Sequence, residues 1–404
     1  MSSSTSPTPE HTPASRPPIG STTPKGTTPD GTTSTGEAIT YAAAGVDTEA
    51  GDRAVELMKY AVRRTLTPDV LGGVGGFAGL VDVSALKDYR RPLLATSTDG
   101  VGTKIAIARA MDVHDTIGQD LVAMVVDDIV VVGATPLLMT DYIACGKVDP
   151  VRVADIVRGI AAACEVAGVP LLGGETAEHP GLMAADEYDV AGAATGAVDA
   201  DDVLGPERVR SGDVLLAMAS SGLHSNGYSL VRRVVETAGW ALDRDVPELG
   251  RTLGEELLEP TRLYTRPSLE LAGALGPDLH AFTHVTGGGL AANLARVLPT
   301  GLVADVDRGA WEVPPVFGLV QALGRVPWDD LEGTLNLGVG MVAVLAPERV
   351  DEATALLDAA GVPTRVIGEI GEDPGGVPDG ARAVSGTKGV AGGAVHLRGS
   401  YRAG

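Results

Sequence analysis

Apolar positions along the chain recur with two periods, and the segments they mark predict alternating helices and strands. A three-to-four-residue spacing over 51–65 predicts a first amphipathic helix. The same spacing over 116–132 sets Ile117, Leu121, Met124, Val125 and Val132 along one side of a second helix. The segment 150–167 carries a full helix signature. Asp149 caps it, Pro150 suits its first turn, Val153, Ile156, Val157, Ile160 and Cys164 share a face, and Gly168 ends it. Short apolar runs at 92–98, 137–143 and 169–172 predict strands. A second block begins near Pro206, where Ser211, Gly212 and Asp213 make a turn before a strand over 214–219; helices follow from Tyr228 and Leu290, and a strand spans 340–345. No repeat of solenoid length is visible. The pattern predicts an α+β fold of two mixed domains, 39–206 and 207–375, in keeping with a length of 404 residues.

Composition changes the picture at the two ends. Residues 1–38 are mostly Ser, Thr, Pro and Gly, too poor in apolar surface to offset the entropy of ordering, so a disordered tail is expected there. Residues 371–380 are rich in Gly, Pro and acid, and 376–404 read as a C-terminal tail without a long periodic stretch. No uninterrupted apolar run reaches the roughly 18 residues of a membrane span. The formal charge of −22 makes nucleic acid a poor partner. A small phosphorylated ligand stays compatible with it, because helix N-termini and backbone amides bind anions without net positive charge. Cys145 and Cys164 are the only cysteines and form neither a disulfide framework nor a zinc pattern, which fits the reducing cytoplasm, and no secretory signal is found.

Candidate chemistry gathers at glycine-rich turns. Gly73-Val-Gly75-Gly-Phe-Ala78 fits a dinucleotide fingerprint in letters only, because no strand precedes it and no helix start follows; a mobile lid and a plain turn both remain open. In Asp99-Gly100-Val-Gly102-Thr103-Lys104 a strand ends in a carboxylate and passes two glycines to a Thr and a Lys. Such a segment suits either a phosphate and Mg²⁺ corner or an Asp-Gly turn with a solvated Lys. On the 116–132 helix, Asp120 and Asp127 lie on nearly one side and Asp128 about 80° further round. Shared Mg²⁺ would explain acids in so apolar a stretch; capping and solvent-facing roles are the alternative. Gly173-Gly-Glu175-Thr-Ala-Glu178 repeats the order of strand, glycines and acids. His224-Ser225-Asn226-Gly227 and Thr283-His-Val-Thr286-Gly287-Gly288-Gly289 each lead into a helix whose first amides suit an anion.

These segments in this order, together with Asp128, Gly133, Ala134 and Pro136, with His114-Asp-Thr-Ile-Gly118 and with Tyr188-Asp-Val-Ala-Gly192, resemble the aminoimidazole ribonucleotide synthetase family from about residue 39 to 370. The resemblance implies two α/β-sandwich-like domains, a homodimer paired through the N-terminal sheets, and ATP with Mg²⁺ on the first domain. It implies ATP-dependent closure of formylglycinamidine ribonucleotide to aminoimidazole ribonucleotide in purine biosynthesis. Carried onto this chain, it assigns Asp99, Asp128 and Glu175 to the metal, and these with Gly100, Gly102, Thr103 and Lys104 to Mg·ATP. His224, Ser225, Asn226, Gly227, Thr286, Gly287, Gly288 and Gly289 fall on the substrate side, with Lys104 and His224 as the candidate catalytic residues. Two departures stand out: Asp127 where the family usually has Asn, which adds negative charge beside the proposed metal, and Thr135 where Glu is usual. Other enzymes on the same plan, the preceding synthetase of purine synthesis, selenophosphate synthetase and thiamine-monophosphate kinase, are disfavoured by length and motif order.

Overall fold

Strand alternation in the first half builds a four-stranded sheet with one covered face. Helix α1 (Thr48–Thr65), strand β1 (Pro92–Gly100), α2 (Ile105–Met111), α3 (Thr116–Val130), β2 (Thr135–Cys145), α4 (Pro150–Ala167), β3 (Leu171–Glu178) and β4 (Tyr188–Asp199) follow one another. The strands lie in the order β1-β4-β2-β3, with only β2 and β3 parallel. Met139, Ile143 and Cys145 of β2 and Val190 and Ala194 of β4 point to the covered face and are buried with Ile117, Leu121, Ile156 and Ile160 of α3 and α4. Leu94, Thr96, Thr98 and Tyr142 point the other way and are exposed. In this computed structural model residues 47–72, 75–386 and 392–403 are described. The expected tail at 1–38, like Gly73 of the glycine-rich segment, lies outside the described residues.

Helix α4 keeps its predicted limits. Asp149 accepts hydrogen bonds from the Val151 and Arg152 amides, and Gly168 closes the helix at φ 79°. Helices α3 and α4 cross in backbone contact: a Cβ on Gly118 would lie 2.2 Å from the Ile160 nitrogen, and one on Gly159 would lie 1.8 Å from the Asp115 carbonyl oxygen. Glycine at both positions is what allows the helices to meet.

The second half adds β5 (Val214–Ala219), α5 (Tyr228–Ala238), α6 (Leu253–Leu257), α7 (Thr265–Leu275), β6 (Leu279–His284), α8 (Gly289–Leu294), β7 (Leu302–Asp307), β8 (Glu312–Val313), α9 (Pro315–Gly324), α10 (Trp328–Glu332), β9 (Val339–Leu345), α11 (Val350–Ala359), β10 (Thr364–Glu372), β11 (Arg382–Ser385), β12 (Ala394–Arg398) and β13 (Arg402–Ala403). Seven strands form one sheet in the order β6-β9-β5-β10-β7-β12-β11. The expected tail at 376–404 is corrected here. Val395 and Leu397 of β12 are fully buried, and β12 pairs in parallel with β7 while β13 pairs with β8. Five residues are too short to show a period in sequence, but two buried apolar side chains and a ladder partner suffice to order them. Among the described residues no helix is long and apolar enough to cross a membrane.

Candidate active site

The turn after β1 exposes Gly102 and Thr103 and turns Lys104 inward. Lys104 is completely buried, and its three N–H directions are taken: Nζ donates to Asp120 Oδ1 at 2.9 Å, to the His224 carbonyl at 3.0 Å and to the Glu259 carbonyl at 2.6 Å. Burial draws its pKa down against the opposing charge of Asp120, and the same burial raises Asp120. Asp120 also accepts from the Thr261 amide at 2.9 Å and hydroxyl at 2.6 Å. Lys104, expected on phosphate, is here a fully enclosed ammonium with three partners, a tie between α3, the 224 turn and the 259–261 segment.

Asp127, the departure expected to add charge beside the proposed metal, caps the start of α7, accepting from the Tyr264 amide at 3.0 Å and the Thr265 hydroxyl at 2.6 Å. Burial lifts its pKa to about 6, with the charge of His284 and these two hydrogen bonds pulling the other way.

Asp128, one residue on, has a side chain 41% exposed and accepts from or shares a proton with His284 Nδ1 at 2.8 Å. Asp99 accepts the Gly100 amide at 2.7 Å and is exposed. Burial works to lower the pKa of His284, but the Asp128 hydrogen bond and the charges of Asp128, Asp127 and Asp99 raise it above the ordinary value. The structure thus joins Asp99 and Asp128 electrostatically at His284. That histidine was not among the expected site residues; its signal in the sequence is its place at a strand end just before the Thr286–Gly289 turn.

Glu175 does not join them. It stands on edge strand β3 in the row Gly100, Ala191, Tyr142, Glu175, on the exposed sheet face, whereas Asp99 is in register with Gly192 and Asp141 on the covered face. Three strand intervals of about 4.8 Å separate the two edges. Among the described residues no group of three His, Cys, Asp or Glu side chains is set to hold a metal. Of the expected trio, the structure brings Asp99 and Asp128 to one histidine and leaves Glu175 apart within one chain. The pattern of strand, glycines and acid misled because β3 continues through its glycines to Glu178.

The two expected substrate turns do meet. Ser225 donates to the Val101 carbonyl at 2.6 Å, which ties the 224–227 turn to the Gly100–Thr103 turn. Asn226 Nδ2 lies 3.3 Å from Met124 Sδ of α3, and its Oδ1 would be 3.3 Å from a Cβ on Gly287. Asn293 of α8 closes the second turn, donating to the Thr286 carbonyl at 3.2 Å and the Gly289 carbonyl at 2.8 Å. Asn226, Gly227 and Thr286 to Gly288 keep partial exposure where the turns face one another.

His224 is the exception. It is 1% exposed at φ 62°, and its Nε2 accepts the Ser221 amide at 3.1 Å. Burial first, then the charges of His284 and Lys104, hold its pKa well below the ordinary value. The enclosed ring of this expected proton carrier has one nitrogen committed to the backbone and orders the turn.

Residues 81–198 match the family model for AIR synthase related protein, N-terminal domain, and 210–380 match that for its C-terminal domain. A phosphoribosylformylglycinamidine cyclo-ligase of Desulfitobacterium hafniense is 50% identical over 84% of this chain and 98% of its own length. The chain belongs to the phosphoribosylformylglycinamidine cyclo-ligase family. A second relative of that name, from Geobacillus sp. (strain WCH70), is 49% identical over 84% of this chain and 97% of its own. Among solved structures, thiamine-monophosphate kinase from Stenotrophomonas maltophilia K279a aligns with a TM-score of 0.61 at 20% identity, over 86% of this chain and 96% of that one. Hydrogenase maturation protein HypE, solved in complex with ATP, gives 0.57 at 20% identity over 82% and 89%. At that identity the likeness to the cyclo-ligase family member described here is one of fold.

Proposed function

We propose that this protein converts formylglycinamidine ribonucleotide and ATP to aminoimidazole ribonucleotide, ADP and phosphate, the ring-closing step of purine biosynthesis. The observation that carries this reading is the meeting of the two glycine turns at Asn226 and Gly287, beside Asp99 and Asp128, in a chain half identical to named cyclo-ligases over nearly their whole length.

The formyl amide oxygen is a poor leaving group. Transfer of the terminal phosphoryl group of ATP to that oxygen makes a phosphate ester; the ribosylated nitrogen then attacks the same carbon, and phosphate departs as the ring closes. With Lys104 enclosed, the exposed backbone of Gly102 and Thr103 is placed to receive ATP phosphates. Asp99 and Asp128 fit Mg²⁺: both are oxygen donors with solvent access, which leaves room for phosphate oxygens and water. When bound, the ion offsets phosphate charge. His284 fixes the orientation of Asp128 through their 2.8 Å contact. The phosphoribosyl end of the substrate rests against residues 226–227 and 286–288, where holding the reactants in line supplies much of the rate.

We place the division of labour at the expected limits, 39–206 for ATP and 207–375 for the ribonucleotide, and a homodimer at the exposed face of the first sheet. Leu94, 67% exposed, and Tyr142 on that face support the pairing. Glu175 lies on the same face, so its share in ATP binding runs through the second copy. A cytoplasmic setting accords with two free, buried cysteines.

The test is to supply formylglycinamidine ribonucleotide and Mg·ATP and to follow aminoimidazole ribonucleotide and ADP together, with each substrate omitted in turn. Equal yields support the cyclo-ligase; ADP alone points to a related kinase on the same fold. Asp128→Asn is expected to lower turnover about 100-fold or more, the scale of removing one electrostatic stabiliser. Unchanged turnover removes Asp128 from the metal site.

A further inference from the structure

The C-terminal residues 382–403 lie outside the matched C-terminal family model, which ends at 380, yet they reach one buried carboxylate that matters to the site. Glu332, at the end of α10, is 4% exposed. It accepts from Arg308 Nε at 2.6 Å and Nη2 at 2.9 Å, from Arg382 Nη1 at 2.8 Å and from the Tyr401 hydroxyl at 2.5 Å. Arg308 also donates to the Leu397 carbonyl at 3.1 Å, and the Tyr401 ring packs 5.6 Å from both Trp311 and Trp328. The C-terminal segment thus grips one residue of α10 from several sides.

The backbone of that residue touches the second substrate turn. A Cβ on Gly289 would lie 1.9 Å from the Glu332 carbonyl oxygen, so Gly289 rests directly on it. Three residues on, Leu335 Cδ2 lies 2.3 Å from where a Cβ on Gly227 would be. Asn336 Nδ2 donates to the Gly222 carbonyl at 2.9 Å. Residues 332–336 therefore form a wedge beneath both glycine turns.

We infer that Tyr401, Arg308 and Arg382 are positioning residues for ribonucleotide binding: they fix Glu332, and through the 332–336 wedge they set the spacing of the 224–227 and 286–289 turns. The inference rests on the proposed assignment of those turns to the phosphoribosyl substrate. Contacts that select a phosphorylated ligand tolerate little displacement, since a shift of about 1 Å costs on the order of 100-fold in a well-oriented site. The Gly100–Thr103 turn, on which ATP is proposed to sit, is reached by the wedge only indirectly, by way of the 224–227 turn and its 2.6 Å bond from Ser225 to the Val101 carbonyl.

Tyr401→Phe tests this, because the ring keeps its packing on Trp311 and Trp328 and loses only the bond to Glu332. Arg382→Gln, on a side chain 37% exposed, serves as the second variant. In ligand-free protein, amide hydrogen exchange at residues 286–290 is expected to quicken about tenfold in either variant while α3 is unchanged. In turnover assays well below the melting temperature, KM for formylglycinamidine ribonucleotide is expected to rise about five- to tenfold with KM for ATP within about twofold of the parent. Unchanged exchange in the turns overturns the inference, as does a lower melting temperature with both KM values unchanged, or an equal rise in both. A parent protein that makes no aminoimidazole ribonucleotide defeats the proposed function instead, and the exchange measurement still decides the positioning role.

Discussion

Asp127 and Lys104 are fully buried charges whose partners are other groups of the chain. Asp127 holds its pKa near 6 in the folded chain against about 3.8 when unfolded, so between those values the native state binds more protons. Stability from this group is complete below the unfolded value and is lost as pH rises through 6. A shift of about two units corresponds to roughly 3 kcal/mol. Asp127→Asn keeps an acceptor for the Tyr264 amide and a donor for the Thr265 hydroxyl without the charge. The variant is expected to be more stable than the parent by about 1–3 kcal/mol at pH 8, with the gain vanishing below pH 4, as read from urea unfolding at both pH values. Lys104→Met leaves Asp120 buried without its cation and is expected to cost about 3–5 kcal/mol in the same measurement. A loss below about 1 kcal/mol would mean that Lys104 is more accessible in solution and would restore its phosphate role.

Elements were legible to the degree that their signals are local. Helix α4 needs only its own cap, proline, periodicity and closing glycine, and it forms at its predicted limits. Strand β3 needed a neighbour: the apolar run ends at Leu172, but pairing with β2 carries the ladder through Gly173 and Gly174 to Glu178. Helix α3 displays its acids plainly, yet their partners Thr261 and Thr265 come from a segment some 140 residues away and carry no periodic mark. The α3–α4 crossing is likewise silent in sequence. Gly159→Ala would drive a methyl group into the Asp115 carbonyl, and a loss of about 3 kcal/mol or more is expected, lowering the urea midpoint at unchanged slope. Neutral behaviour would mean that the helices stand further apart.

At the scale of the whole molecule, the exposed face of the first sheet carries Leu94 and Tyr142, which the proposed homodimer would cover. Tyr142→Glu on that face is expected to shift the protein from dimer to monomer in sedimentation equilibrium while leaving far-UV circular dichroism intact; a parent that sediments as a monomer rules out the proposed pairing. Family and domain order were determined by the sequence alone, because short motifs of glycine, acid and hydroxyl residues specify local backbone wherever they fall. The turns that meet at Asn226 and Gly287 carry such motifs. Only the tertiary structure decided which charges are enclosed and which stay open to solvent. Burial encloses Lys104 and His224, strand order sends Glu175 to the far edge, and His284 and the C-terminal strands enter because residues distant in sequence are packed against Asp128 and Glu332. Solvent access and long-range contact set the energy of a charge, and neither is a property of a residue's immediate neighbours in the chain.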